Sequence, residues 1–233
     1  MKFYSSLLLV LFCLTAISCE GQSTPADRVA EQRAVIKQSL RYSDWTTAIG
    51  AIHRIIALEG ENSTYVDSLA LAYFQVGAYN SAGLVARERL LADSTDEIML
   101  EVYAKSLLEV EAGQRAVSAY ERLFALNNGR ADGYELANLQ YRNRMLEPAR
   151  ATLDQVNTLP DDGNWYVQID KGDQTGKQNV PLQAAIENLA GLIAYEAGDP
   201  GRAEARFEAA LEIMPEFGAA KANLADVRKA AKE

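Results

Sequence analysis

With 233 residues, 48% of them hydrophobic and 24% charged, the chain has the makeup of a folded protein of soluble type, not of a disordered one. Its 32 acidic residues outnumber 23 basic ones, for a formal net charge of -9, so nucleic acid phosphates and anionic head groups are repelled and no nucleic acid partner is expected. Cys13 and Cys19 both lie near the N-terminus and His53 is the only histidine, which excludes a disulfide framework in the body, a cysteine-based metal site and a histidine-rich centre.

The chain opens on Lys2, an apolar run from Leu7 to Phe12 with Leu14, and the small residues Ala16 and Ser18. Residues 1–18 therefore read as an export signal, too short for a membrane-spanning helix of about 20 apolar residues. The following Ala16-Ile17-Ser18-Cys19 resembles the lipobox of bacterial lipoproteins, where cleavage precedes a cysteine that receives a diacylglyceryl group. That family usually carries leucine where Ala16 stands. The resemblance implies lipidation of Cys19 and attachment to a membrane without crossing it. The alternative is an ordinary signal peptide cut after Ser18, with Cys19 incidental. Residues 19–28 then read as a polar tether.

Beyond the tether a motif recurs. Ala48, Ala82 and Ala116 are spaced by 34 residues, Ala149 follows after 33, and a further copy falls at Ala203. Four residues after each alanine stand Ile52, Ala86, Tyr120, Leu153 and Phe207; twelve before it stand Ile36, Ala70, Ala104, Ala137 and Gly191. Small residues at fixed spacing let two helix axes approach to about 8–10 Å, and the larger ones fill the space between neighbouring helix pairs. Asp44 and Asp199 are placed to cap helices, Pro200 to begin one and Pro215 to end one.

This pattern resembles the tetratricopeptide repeat, with its large-small pair in helix A, glycine at the turn, alanine in helix B and proline near the end. The last copy is the fullest: Gly191, Gly198, Ala203, Phe207, Ala210, Leu211 and Pro215. The second supplies Leu69, Ala70, Tyr73, Gly77, Tyr79 and Ala82, while the third and fourth lack the turn glycine. The resemblance implies an all-α fold: a right-handed α-solenoid of about five tetratricopeptide hairpins plus a C-terminal capping helix. Repeats 1–4 fall in 29–163, repeat 5 in 184–217 and the capping helix in 218–233, with copies beginning near Val29, Ser63, Glu97, Arg130 and Ala184.

An insertion of about 20 residues, 164–183, breaks the period before the last repeat. Trp165 to Ile169 alternates like a strand and the stretch Asp170 to Lys177 is rich in turn residues, so a loop or a β-hairpin is expected. It is read either as a surface loop with Trp165 tucked against the hairpin edge or as an arm that contacts a partner through Trp165 and Tyr166. Gly172 to Lys177 lacks phosphate-loop spacing, and Asp161-Asp162 does not continue into a calcium-binding loop. No nucleophile elbow and no zinc-protease motif occurs, His53 reads as a packing or surface residue, and neither catalysis, nor a metal, nor a cofactor is expected.

In the resembled family, helix A lines the concave face, and its positions 2, 5, 9 and 12 contact partner segments. Position 12 falls on Leu40, Phe74, Leu108, Tyr141 and Tyr195. Position 5 falls on Arg33, Asp67, Glu101, Tyr134 and Asn188, and position 9 on Lys37, Leu71, Lys105, Asn138 and Leu192. The expected partner groove is Leu40, Phe74, Leu108, Tyr134, Asn138, Tyr141, Asn188 and Tyr195. The competing reading has position 12 packing against the next hairpin. The functional expectation is a non-catalytic, lipid-anchored adaptor of the bacterial envelope, exported to the outer membrane or the periplasmic side, with an envelope protein as partner. The alternative is a glycan- or nutrient-binding surface lipoprotein that uses the Trp165 insertion.

Overall fold

A computed structural model describes residues 23–60, 62–160, 165–171 and 176–231. Residues 1–18, read as an export signal, Cys19, Asp161-Asp162 and part of the turn-rich stretch lie outside the described residues. The chain divides into two compact units, residues 1–66 and 67–233.

In the first unit, α1 (Pro25–Arg41) pairs with α2 (Trp45–Glu59). Helix α1 begins earlier than expected, because Thr24 and Asp27 form a reciprocal capping box and Pro25 occupies the first helical position. Residues 25–28, expected in the tether, are thus the first turn of a helix. In α2, Asp44 caps by accepting from Thr47 N at 3.1 Å. Ala48, Ala51, Ile52 and Ile55 form its buried stripe at helical spacing, and His53 lies exposed beside it.

The second unit holds the rest. Helix α3 (Tyr65–Gln75) starts at the division and is followed by α4 (Tyr79–Ala92), α5 (Glu97–Glu109), α6 (Gly113–Asn127), α7 (Arg130–Arg142) and α8 (Leu146–Thr158). After the insertion come α9 (Leu182–Glu196), α10 (Pro200–Ile213) and α11 (Gly218–Ala230). From α4 to α8 each helix packs on the next, α8 meets α9, and α9 to α11 pack in turn. Helices α3 and α4 are tied by Arg89 Nε to Asp67 Oδ1 at 2.6 Å and by the edge-on ring contact of Phe74 with Tyr79 at 5.2 Å. One continuous core runs from Ala70 to Ala220, and a smaller cluster of Ala194, Ala203, Phe207, Leu224 and Val227 closes the C-terminal end.

Each A-to-B turn has the same backbone. Ser43, Gly77, Glu111, Arg144 and Gly198 all have positive φ, between 51° and 82°. In each turn the next residue's N–H reaches back to helix A: Asp44 to Ser39, Ala78 to Tyr73, Ala112 to Leu107, Met145 to Gln140 and Asp199 to Ala194, at 2.9–3.0 Å. This is the Schellman arrangement, which satisfies the last carbonyls of a helix. The third and fourth repeats, which lack glycine here, keep the turn with a side chain in the left-handed region, a conformation that costs about 1–2 kcal/mol. Glu111→Gly is therefore expected to raise stability, by about 0.5–1 kcal/mol once the entropy of an added glycine is subtracted. Arg144→Gly should gain less, because it also removes the bond from Arg144 Nη1 to Glu196 at 2.6 Å. Parallel urea melts check both.

The insertion is a β-hairpin. Strand β1 (Tyr166–Asp170) pairs antiparallel with β2 (Lys177–Pro181), with Tyr166 opposite Pro181 and Asp170 opposite Lys177. Val167 and Ile169 turn toward the core and Val180 is fully buried, while Tyr166, Gln168 and Asp170 face outward. The hairpin lies on α9 and α11. Gln178 stitches it there: its Nε2 donates to Glu216 O at 3.0 Å and its Oε1 accepts from Gly218 N at 2.9 Å.

Candidate functional site

The expected groove residues do not share one open face. Tyr134 is 6% exposed and packed in the core, and Asn188 is 5% exposed, accepting from Asn223 Nδ2 of α11 at 3.0 Å. Both are corrected from partner contacts to packing residues: Tyr134 sits on α7, which is packed by α6, α8 and α9, and Asn188 sits on α9, which α11 and the β-hairpin cover. Position 12 behaves largely as a seam between helices. Phe74 packs on Tyr79, and Leu108 is half-buried beside Leu139 and Arg142 around a cavity of about 220 Å³. Tyr141 donates its hydroxyl to Glu196 Oε1 at 2.6 Å, joining the fourth hairpin to the fifth. Burial and that carboxylate push the Tyr141 phenol up to about 12. Leu40, in the first unit, and Tyr195 remain exposed. Asn138 is half-buried on α7, where it bonds the Glu135 carboxylate.

A partly open strip in the second unit is built from α5 and α7. Ile98, Glu101 and Lys105 fall on one face of α5 at i, i+3 and i+7. Ala131, Glu135 and Asn138 share one face of α7 at i, i+4 and i+7, with Asp132 beside them. Ile98, a family contact position but absent from the expected set, is 58% exposed. Asn127 joins the two helices, its Nδ2 donating to Asp132 Oδ2 at 2.9 Å and to Glu97 Oε1 at 3.3 Å. Lys105 pairs with Glu101.

The strip is acidic on balance: Glu97, Glu101, Asp132 and Glu135 stand against Lys105 and, one helical heptad beyond Glu135 on α7, Arg142. Burial holds the Asp132 and Glu135 carboxyls above their ordinary values of 3.8 and 4.5, and the neighbouring acids add to the rise. Tyr120 of α6, 1% exposed, is raised by burial and then by Glu135, Asp132 and Glu101, which sets its ring beneath the strip. A raised carboxyl pKa means that the ionised form is penalised in the fold. That penalty is full at neutral pH, fades as pH falls through the raised value and is gone below the ordinary 4.5. Glu135→Gln is expected to stabilise the protein at pH 7, with the advantage shrinking toward pH 4.5. Paired thermal melts across that range test it; a pH-independent difference would refute it.

Trp165 and Tyr166 are 55% and 57% exposed at the start of β1. Among the described residues no group of three His, Cys, Asp or Glu side chains could hold a metal ion, and no helix is long and apolar enough to cross a membrane.

No family model matches the sequence, and no curated protein matches it. The fold has many solved counterparts. A crystal structure of MamA protein is similar at 16% identity and a TM-score of 0.65, covering 82% of this chain and 94% of that one. A tetratricopeptide repeat protein from Parabacteroides merdae is similar at 13% identity and a TM-score of 0.68, covering 88% and 74%. YrrB, described as a tetratricopeptide protein with an unusual peptide-binding site, is similar at 15% identity and a TM-score of 0.65, covering 92% and 95%. At such identities the likeness is one of fold: this is an all-α tetratricopeptide solenoid with a β-hairpin inserted before its last repeat.

Proposed function

We propose that the chain is a non-catalytic docking scaffold, and that the α5–α7 strip takes a partner segment carrying a lysine or arginine beside an apolar side chain. The observation that carries this reading is the pair of half-buried carboxylates Asp132 and Glu135, beside Glu101 and the exposed Ile98. A cation placed there compensates the burial that, with neighbouring acids, disfavours the ionised Asp132 and Glu135, and Ile98 supplies an apolar anchor. The likeness to YrrB, described by its peptide-binding site, supports a peptide as occupant. Displayed peptides selected on the wild type should be enriched in Lys and Arg flanked by apolar residues. Glu101→Lys with Asp132→Lys should weaken the selected peptides about tenfold or more. Peptides without that enrichment, or with equal affinity for the variant, would sink the proposal.

The export signal and the resemblance of Ala16-Ile17-Ser18-Cys19 to a lipobox support a scaffold tethered to a membrane of the bacterial envelope through lipidated Cys19. Cys19→Ser should then move the protein from the membrane to the soluble fraction. The exposure of Trp165 and Tyr166 favours a second reading, a glycan-binding surface. Tryptophan fluorescence that does not respond to millimolar oligosaccharide would dismiss it.

A further inference from the structure

Away from the α5–α7 strip, a cavity of about 160 Å³ opens between α4, α5 and the start of α6. Its lining includes Asn80, Arg87, Tyr103, Ser106 and Arg115. Ser106 is 1% exposed, and its hydroxyl oxygen has no hydrogen-bond partner among the described residues. A buried hydroxyl left unpaired costs about 1–3 kcal/mol, so a fold keeps one only where something offsets the cost. Gly83 lets α4 pass close over it: a Cβ there would stand 3.3 Å from the Ser106 Cβ. The two exposed arginines at the cavity, Arg87 and Arg115, take part in no ion pair among the described residues, although acids outnumber bases in this chain. Helix α4, whose first turn supplies Asn80, has no side-chain cap, so its N-terminal amides add positive potential.

We infer that this cavity is an oxyanion site, taking a phosphate or carboxylate group. Arg87 and Arg115 supply charge-assisted hydrogen bonds from two helices, Asn80 an amide donor, and Ser106 a hydroxyl donor from the floor. The group arrives either as a free anion or on an acidic segment of another protein. The inference does not depend on the α5–α7 reading, since neither guanidinium belongs to that strip.

The test follows the arginine Nε–Hε signals of Arg87 and Arg115 by NMR in the full exported chain. The probes are sodium phosphate and an acetylated tetraglutamate amide, each at constant ionic strength against chloride. A saturable shift with phosphate in the millimolar range supports a free anion as source. A saturable shift with tetraglutamate at lower concentration supports a peptide-borne carboxylate. Arg87→Gln with Arg115→Gln should abolish the response as read on the backbone amides of α4. Ser106→Ala should weaken binding several-fold while raising the melting temperature, which separates loss of a ligand contact from loss of fold. Linear, unsaturating shifts with both probes, or a response unchanged in the double variant, would overturn the inference.

Discussion

Gly191→Ala is expected to destabilise the fold even though alanine is the better helix former. A Cβ at this position of α9 would stand 2.5 Å from Phe207 Cε1 and 2.7 Å from Cδ1, far inside the ~3.5–4.0 Å of carbon contact. Phe207 is 1% exposed and packed among Ala194, Ala203, Leu224 and Val227, so its ring has no free space to turn into. Overpacking of this kind costs about 1–3 kcal/mol, against a helix-propensity gain of about 1 kcal/mol. The sequence already contains the compensating pair: the fourth repeat has Ala137 and Leu153 where the fifth has Gly191 and Phe207. Gly191→Ala combined with Phe207→Leu should therefore recover much of the loss, with a coupling energy of about 1 kcal/mol or more in a double-mutant cycle of urea melts. Strictly additive effects would show that the two residues do not share one packing site. Hydrogen exchange should place the loss in α9–α11, because repeat proteins lose stability locally.

The second large effect is expected at Gly218, the first residue of α11. A Cβ there would meet the Lys171 carbonyl oxygen at 2.3 Å and its carbon at 3.1 Å. Backbone held in a paired strand end cannot swing aside as a side-chain tip does. Gly218→Val should force the β-hairpin off α11, breaking both Gln178 bonds and uncovering Val167 and Ile169. Amide protection should fall in β1 and β2 while α4 to α7 keep theirs. The Trp165 emission, at the strand's entry, should change with it. Gln178→Ala removes the two bonds without the clash and should cost about 1–2 kcal/mol. Hairpin protection equal to wild type in Gly218→Val would mean that the hairpin is not held by this contact.

The repeat was legible because it rests on local rules. Small residues at helical spacing recur where two axes cross, and the capping roles of Asp44, Asp199 and Pro200 depend only on neighbours three residues away. The turns of the third and fourth repeats were not legible from glycine, since Glu111 and Arg144 adopt the left-handed conformation under the constraint of the packed hairpin. Gly133 carried no sequence signal, yet a Cβ there would meet Val156 at 2.4 Å and Phe124 at 2.7 Å, side chains of α8 and α6. The site was legible only as a set of helix positions. Glu101 and Asn138 lie half-exposed on the α5–α7 strip, but Tyr134 and Asn188, at the same repeat position as Glu101, are buried.

By itself the sequence determined the all-α hairpin architecture, the place of the insertion and the exclusion of a cysteine-based centre, because these follow from periodicity, residue size and the presence or absence of residue types. The tertiary structure alone decided which helix positions face solvent. Asn188 is covered by α11 and α9 is overlaid by a hairpin from the insertion, while the α5–α7 strip stays half-open with Asp132 and Glu135 partly desolvated. The same repeat position is therefore open or buried according to what packs over it, and those contacts link residues with no fixed spacing along the chain.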